Sequence, residues 1–319
     1  MPQSYVKRIL DAQVYDVARE TPIHEADLMS RRLGNRVLLK REDLQPIFSF
    51  KLRGAYCKMS RLTPEQRSRG VIAASAGNHA QGVAMAAKKL RVKAIIVMPR
   101  TTPQIKIDAV RRLGARVLLH GDSYDEAALQ ARELMQAKGM TYVHPFDDPD
   151  VIAGQGTAGL ELHEQVPALD AVVVPLGGGG LISGIALAYR ELAPTVAVIG
   201  AEPTGADDAA RSKAAGDLLG HLPGAPDSLA DGLLTTLGRH TWPVVRDIVS
   251  QVLTVDDTAT VAAMRLTWQR TKQLVEPSAA VAVAVAMSST LSPSYARVGV
   301  ILSGGNVDLD RLPWGQEPG

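Results

Sequence analysis

Lys51 lies in the otherwise apolar stretch "FSFKLRGAY" (48–56), with Phe50 before it and Leu52 after. Lysine is seldom buried without a task. An ammonium stripped of water has a lowered pKa and becomes a nucleophilic amine suited to capturing a carbonyl carbon. Three other stretches carry groups that could serve such an amine. "VVVPLGGGGLISG" sets Gly177, Gly178, Gly179 and Gly180 between a strand-like run and a helix-like run beginning near Leu181. Backbone without Cβ atoms approaches a ligand closely, and N–H groups at a helix start cradle a phosphate. "SAGNHAQG" (75–82) has the same setting. There Ser75, Asn78 and the helix-start amides suit a carboxylate, or Ser75 or Asn78 act only as an N-cap. "VGVILSGGNVD" (298–308) puts the Ser303 hydroxyl just past a strand.

Other phosphate ligands fit the glycine run poorly. A G-x-G-x-x-G/A fingerprint read from Gly177 ends on Ile182, and read from Gly178 it ends on Ser183. A P-loop needs a lysine where Ile185 follows Gly184. Glu202, at a strand end further on, keeps a nicotinamide oxidoreductase open as a rival, and a catalytically dead binding module is another. A phosphate cradle, a carboxylate cradle, a hydroxyl and a desolvated lysine together suit pyridoxal phosphate, a phosphate-bearing aldehyde held on a lysine.

The elements that must position these groups alternate along the chain. From residue 71, β-rich runs at 71–75, 94–99, 116–120, 141–145, 171–176, 196–202 and 298–304 are separated by amphipathic helical stretches. Continuous apolar runs suit parallel strands covered on both faces. The expected fold class is α/β, with two open, mostly parallel sheets flanked by helices and ligands beyond the carboxyl ends of the strands. The "GHLPGAPDS" segment (220–228) reads as a turn-rich loop.

Composition narrows the class. The 319 residues are 46% apolar and 21% charged, with a net charge of +2. No block of like charge points to nucleic acid or an anionic membrane. The N-terminus lacks a signal-peptide pattern, and the longest apolar run, 279–287, is too short for a bilayer. The lone Cys57 rules out an internal disulfide and suits a reducing cytoplasm.

Beyond these readings, "KREDLQPIFSFKLRGAY", "ASAGNHAQGVA" and "VIAGQGT" resemble biosynthetic threonine dehydratase. "AEPTGADDAARSKAAG", "ADGL", "TWPVVRD" and "LSGGNVDL" are similar to serine racemase, so the whole chain resembles fold-type II pyridoxal-phosphate enzymes. The resemblance implies Lys51 as the Schiff-base lysine, Phe50 packed against the cofactor, and Asn78 on its phenolic oxygen. Gly177 to Gly180 with the Leu181 amide would hold the phosphate, and Ser303 would face the pyridine nitrogen. Ser75, Ala76, Gly77, Asn78 and His79 would form the loop that grips the substrate carboxylate. The implied activity is L-threonine/L-serine dehydration, giving 2-oxobutyrate or pyruvate plus ammonia. Serine racemase or threo-3-hydroxyaspartate dehydratase is the same-family alternative. Racemases carry a serine where this chain has Ala76, which points to elimination. Glu202, the Ala206 carbonyl and Asp208 match a Mg²⁺, Mn²⁺ or Ca²⁺ site. Of a nucleotide site, Gln81, Lys272 and Asn306 are kept, whereas Pro46 and Leu113 depart. Domains are expected at 1–52 plus 150–319 (large) and 53–149 (small, mobile), without a C-terminal regulatory domain. The partners implied are an amino-acid substrate and copies of the chain in a dimer or tetramer.

Overall fold

The computed structural model describes residues 4–224 and 226–314. Ten strands are present among them: β1 (Ile23–Glu25), β2 (Arg36–Arg41), β3 (Val71–Ala74), β4 (Ala94–Met98), β5 (Arg116–Leu119), β6 (Thr141–Tyr142), β7 (Ala171–Pro175), β8 (Ala197–Pro203), β9 (Gln251–Val255) and β10 (Arg297–Leu302). They form a six-stranded sheet, β1-β2-β10-β7-β8-β9, and a four-stranded sheet, β5-β4-β3-β6. Of the pairings between these strands, only β1–β2 is antiparallel. The expected pair of open, mostly parallel sheets is therefore present.

The reason β7 is apolar throughout is visible in its two faces. Val172 and Val174 pack against Ile182 and Ile185 of the Gly180–Leu192 helix side. Ala171 and Val173 face the Pro277–Met287 helix on the other. Alternate residues thus enter different cores, and polar ones are excluded from both. The run "AAVAVAVAM" alternates with the period of a strand yet is helical. Pro277 sits at the first turn, and residues Ser278 to Ala286 are all buried, so no polar face is required.

The Lys51–Ser60 helix packs on both the Asn78–Leu90 helix and the Pro149–Gln165 helix, joining the two sheets. Gly82 makes the first contact possible, since a Cβ there would lie 3.0 Å from the Lys51 carbonyl. A buried ion cluster ties down the same helix. Arg53 pairs with Glu42 at 2.7 Å and Glu161 at 2.6 Å, and Lys40 pairs with Glu161 at 2.6 Å. Two cations meet two carboxylates, so the cluster is neutral; removing one member would leave a buried charge and cost about 3–5 kcal/mol.

Candidate active site

All the expected ligand loops lie beyond strand carboxyl ends. The glycine loop follows β7, the Ser75 loop follows β3, and Ser303 follows β10. Lys51 opens its helix after a short connection from β2. That connection contains Phe48 with φ +56°, a left-handed conformation rare for a bulky side chain. It is held by the Phe48 amide donating to the Gln45 carbonyl (2.7 Å) and the Gly305 amide donating to the Phe48 carbonyl (2.9 Å). The Phe50 amide donates to the Ser303 carbonyl at 3.2 Å, which sets Lys51 beside the β10 end.

Lys51 Nζ donates to the Pro145 carbonyl at 3.0 Å and lies 5.2 Å from the centre of the Phe50 ring. Burial lowers its pKa to about 8, opposed only in part by the carboxylate of Glu276. The next residue, Phe146, packs against the glycine loop. Cβ atoms on Gly178 and Gly180 would strike Phe146, one on Gly177 would strike the Leu233 backbone, and Gly179 has φ +85°. Packing within the protein thus explains each glycine as well as a ligand would. Hydrogen bonding separates the two explanations. Among the described residues, the buried N–H groups of Gly177 through Ile182 find no acceptor. Buried amides are rarely left so, and a run of them at a helix start calls for an anion.

A second cradle follows β3. The N–H groups of Ala76, Asn78, His79 and Ala80, at the start of the Asn78–Leu90 helix, also lack acceptors among the described residues. Ser75 Oγ accepts from the Gly77 amide at 3.2 Å. The His79 ring turns away and donates from Nε2 to the Val143 carbonyl at 2.8 Å. Burial and the charge of Lys51 lower its pKa to about 3, so the ring is neutral and braces the wall. What His79 offers the cradle is its backbone amide. Ser303 is buried, and its hydroxyl makes no hydrogen bond among the described residues.

Residues 14–304 match the family described as pyridoxal-phosphate dependent enzyme. The chain belongs to that family. It is 44% identical over 97% of its length to "Threonine dehydratase 1 biosynthetic, chloroplastic" of Solanum lycopersicum, of which it spans 51%. It is 41% identical to the serine racemase of Oryza sativa subsp. indica, covering 96% of this chain and 91% of that one. The solved threonine deaminase of T.th. superposes with a TM-score of 0.90 at 42% identity, covering 98% and 100%. The chain thus spans about half the length of the tomato relative. Membership of this family closes the nicotinamide reading. The site fits pyridoxal phosphate: free buried amides for its phosphate, a lysine of lowered pKa for its aldehyde, and an uncommitted hydroxyl at Ser303.

The expected cation ligands lie at the end of β8 and in the turn and helix start that follow it. Glu202, at the end of β8, accepts from the Ala209 amide at 3.0 Å and the Ala210 amide at 2.8 Å. Burial pushes its carboxyl up to about 8 and raises that of Asp208. Asp208 Oδ1 is buried without a hydrogen bond of good geometry, with His221 Nδ1 at 3.3 Å. The Ala206 carbonyl has no donor among the described residues. Among those residues no group of three or more His, Cys, Asp or Glu side chains is placed to hold a metal. The donor set is therefore two carboxylates and a carbonyl, an arrangement that suits a hard cation keeping several waters.

Two parts of the site escape sequence reasoning. Pro145 ends the run 141–145, of which only Thr141–Tyr142 is strand, and Phe146 follows it; only packing brings them between Lys51 and the glycine loop. Glu276 precedes Pro277 at a helix start, where an acid reads as an electrostatic cap. Its side chain makes no capping bond and instead accepts from Asn78 Nδ2 at 2.7 Å.

Proposed function

We propose that this chain is a pyridoxal-phosphate-dependent L-threonine/L-serine ammonia-lyase, forming 2-oxobutyrate or pyruvate plus ammonia. The observation that carries it is Lys51, an amine of lowered pKa set among two amide cradles. When bound, the cofactor supplies an aldehyde that condenses with amines and a ring that withdraws the electron pair left by the Cα–H bond. The chain's own residues do the rest. The Gly177–Ile182 amides hold a phosphate, and the Ala76–Ala80 amides orient the amino acid's carboxylate. Lys51 Nζ, its pKa lowered by desolvation, takes the Cα proton on its own face in its neutral form. Ser303 would offer the cofactor a neutral hydroxyl rather than a carboxylate.

The Ala76 side chain bears no transferable proton. A second acid on the opposite face, which racemisation requires, is missing at that position. The near full-length match to a serine racemase is what favours the second reading, racemase activity. A 2-oxo acid assay over L-threonine, L-serine and threo-3-hydroxyaspartate, run beside a D-serine assay, tests both. D-serine formed as fast as pyruvate from L-serine would overturn the dehydratase reading. Ala76→Ser is expected to raise racemisation if the site is otherwise kept.

The same reading includes a divalent cation on Glu202, Ala206 and Asp208, checked by a rise in Tm when Mg²⁺ is added to chelator-treated protein. It also places residues 53–149 as a smaller mobile domain on a larger one of 1–52 plus 150–319. The separate apolar clusters of the four-stranded sheet support this. No helix among the described residues is long and apolar enough to cross a membrane. The lone cysteine, buried, suits the cytoplasm. Exposed Leu44, Phe48 and Leu274 near the Gly305 turn support a homo-oligomer, a dimer or tetramer that sedimentation would resolve.

A further inference from the structure

Asn78 is held by a closed ring of hydrogen bonds. Its Nδ2 donates to Glu276 Oε1 at 2.7 Å, and its Oδ1 accepts from Asn306 Nδ2 at 2.7 Å. The Asn306 backbone amide donates to Glu276 Oε2 at 3.1 Å, and Asn306 Nδ2 also donates to the Ile47 carbonyl at 2.9 Å. The Glu276 amide donates to the Gly304 carbonyl at 3.1 Å, so the ring is bound to the turn just after Ser303. Gly304 must be glycine for this, because a Cβ there would lie 2.5 Å from Glu276 Oε1.

The ring determines what Asn78 can offer. One N–H of its amide is given to Glu276 and its oxygen is taken by Asn306, leaving one N–H. Flipping the amide would set its nitrogen against the Asn306 Nδ2 donor whatever the charge on Glu276, and its oxygen against a carboxylate when Glu276 is ionised. The Asn78 side chain is therefore left with a donor and no acceptor to offer. The ring also crosses between sheets, since Asn78 starts the helix after β3 while Glu276 and Asn306 belong to the six-stranded side.

We propose that Glu276 is a positioning residue for the reaction: with Asn306 it fixes the Asn78 amide so that only a hydrogen-bond donor faces the bound cofactor. This inference rests on the reading of Lys51 as the cofactor-binding lysine. Burial and Asp231 push the Glu276 carboxyl up to about 8, while the Asn78 and Asn306 hydrogen bonds and Lys106 pull it back. A buried acid so placed accepts two donors and leaves neither oxygen idle.

The test uses holoenzyme of wild type, Glu276→Ala, Glu276→Gln and Asn306→Ala. It reads the visible absorption band of the bound cofactor, kcat and KM for L-threonine, and Tm. Glu276→Ala is expected to displace the band and lower kcat by about tenfold. Glu276→Gln still accepts from Asn78 Nδ2 and is expected to restore most of both. Asn306→Ala should move the band in the same direction as Glu276→Ala. Bands and kcat unchanged in both alanine variants, with only Tm lowered, would show a purely structural role and overturn the proposal. If Glu276→Ala fails to fold, Asn306→Ala decides, and an unmoved band and kcat in that variant overturn it. A wild type with neither cofactor band nor 2-oxo acid product overturns the parent reading before any variant is made.

Discussion

Two helix starts with free amides follow β7 and β3, and they are built differently. The Gly177–Ile182 cradle is buried throughout, and a methyl on any of its four glycines would strike Phe146, Leu233, Leu237 or Thr241. The Ala76–Ala80 cradle opens to the cleft over residues 75–78, and a Cβ on Gly77 would meet nothing within 4 Å. Both present free amides. One is walled in by its own protein, which suits an anion that stays; the other has room beside it, which suits an anion that comes and goes. On the proposed function, the contrast is between a cofactor's phosphate and a substrate's carboxylate.

The lysine between the cradles should show the largest effect when removed. Lys51→Ala is expected to lower 2-oxo acid formation by roughly 10²–10⁴-fold. Mass spectrometry after borohydride treatment should find the cofactor adduct on wild type and none on the variant. Gly178→Ala should break the walled cradle. Its methyl meets the Phe146 ring, and overpacking of this kind costs about 1–3 kcal/mol. Both Tm and cofactor retained after dialysis should fall; unchanged retention would equate the two cradles.

Gly77→Ala sharpens the contrast from the other side. With open space around it, stability should change by less than about 0.5 kcal/mol. Cofactor retention should hold while KM for the amino acid rises roughly tenfold, the usual scale for one misplaced methylene. The smallest effect is a titration. Lys51 is lowered from 10.5 to about 8, so its neutral fraction grows as pH rises through 8. Capture of pyridoxal phosphate by apo-protein should accelerate about tenfold between pH 7 and pH 9 and then level. A rate still climbing at pH 10 would mean an ordinary, solvated lysine.

Seven of the ten strands were legible in the chain because they are apolar or β-rich and bounded by glycines or polar turns. β1, β2 and β9 were not: β1 has three residues, β2 runs "RVLLKR", and β9 keeps only Val255 buried. Lys40 within β2 looks like a surface residue in sequence and is fully buried, because Glu161 arrives from 121 positions away. Lys51 could be picked out because its own neighbours are apolar. Glu276 could not, because its neighbours describe a helix start and its partners lie at Asn78 and Asn306.

By itself, the order of residues determined the two sheets and pointed to the lysine and to two helix starts as candidate anion cradles. These depend on short-range rules: alternation, glycine's lack of a side chain, and the unpaired amides of a helix's first turn. Only the tertiary structure decided which groups surround Lys51, which way the Asn78 amide is turned, and how far burial lowers an amine's pKa. Those are set by distances between segments remote along the chain and by the exclusion of water between them, and neither is written in local spacing.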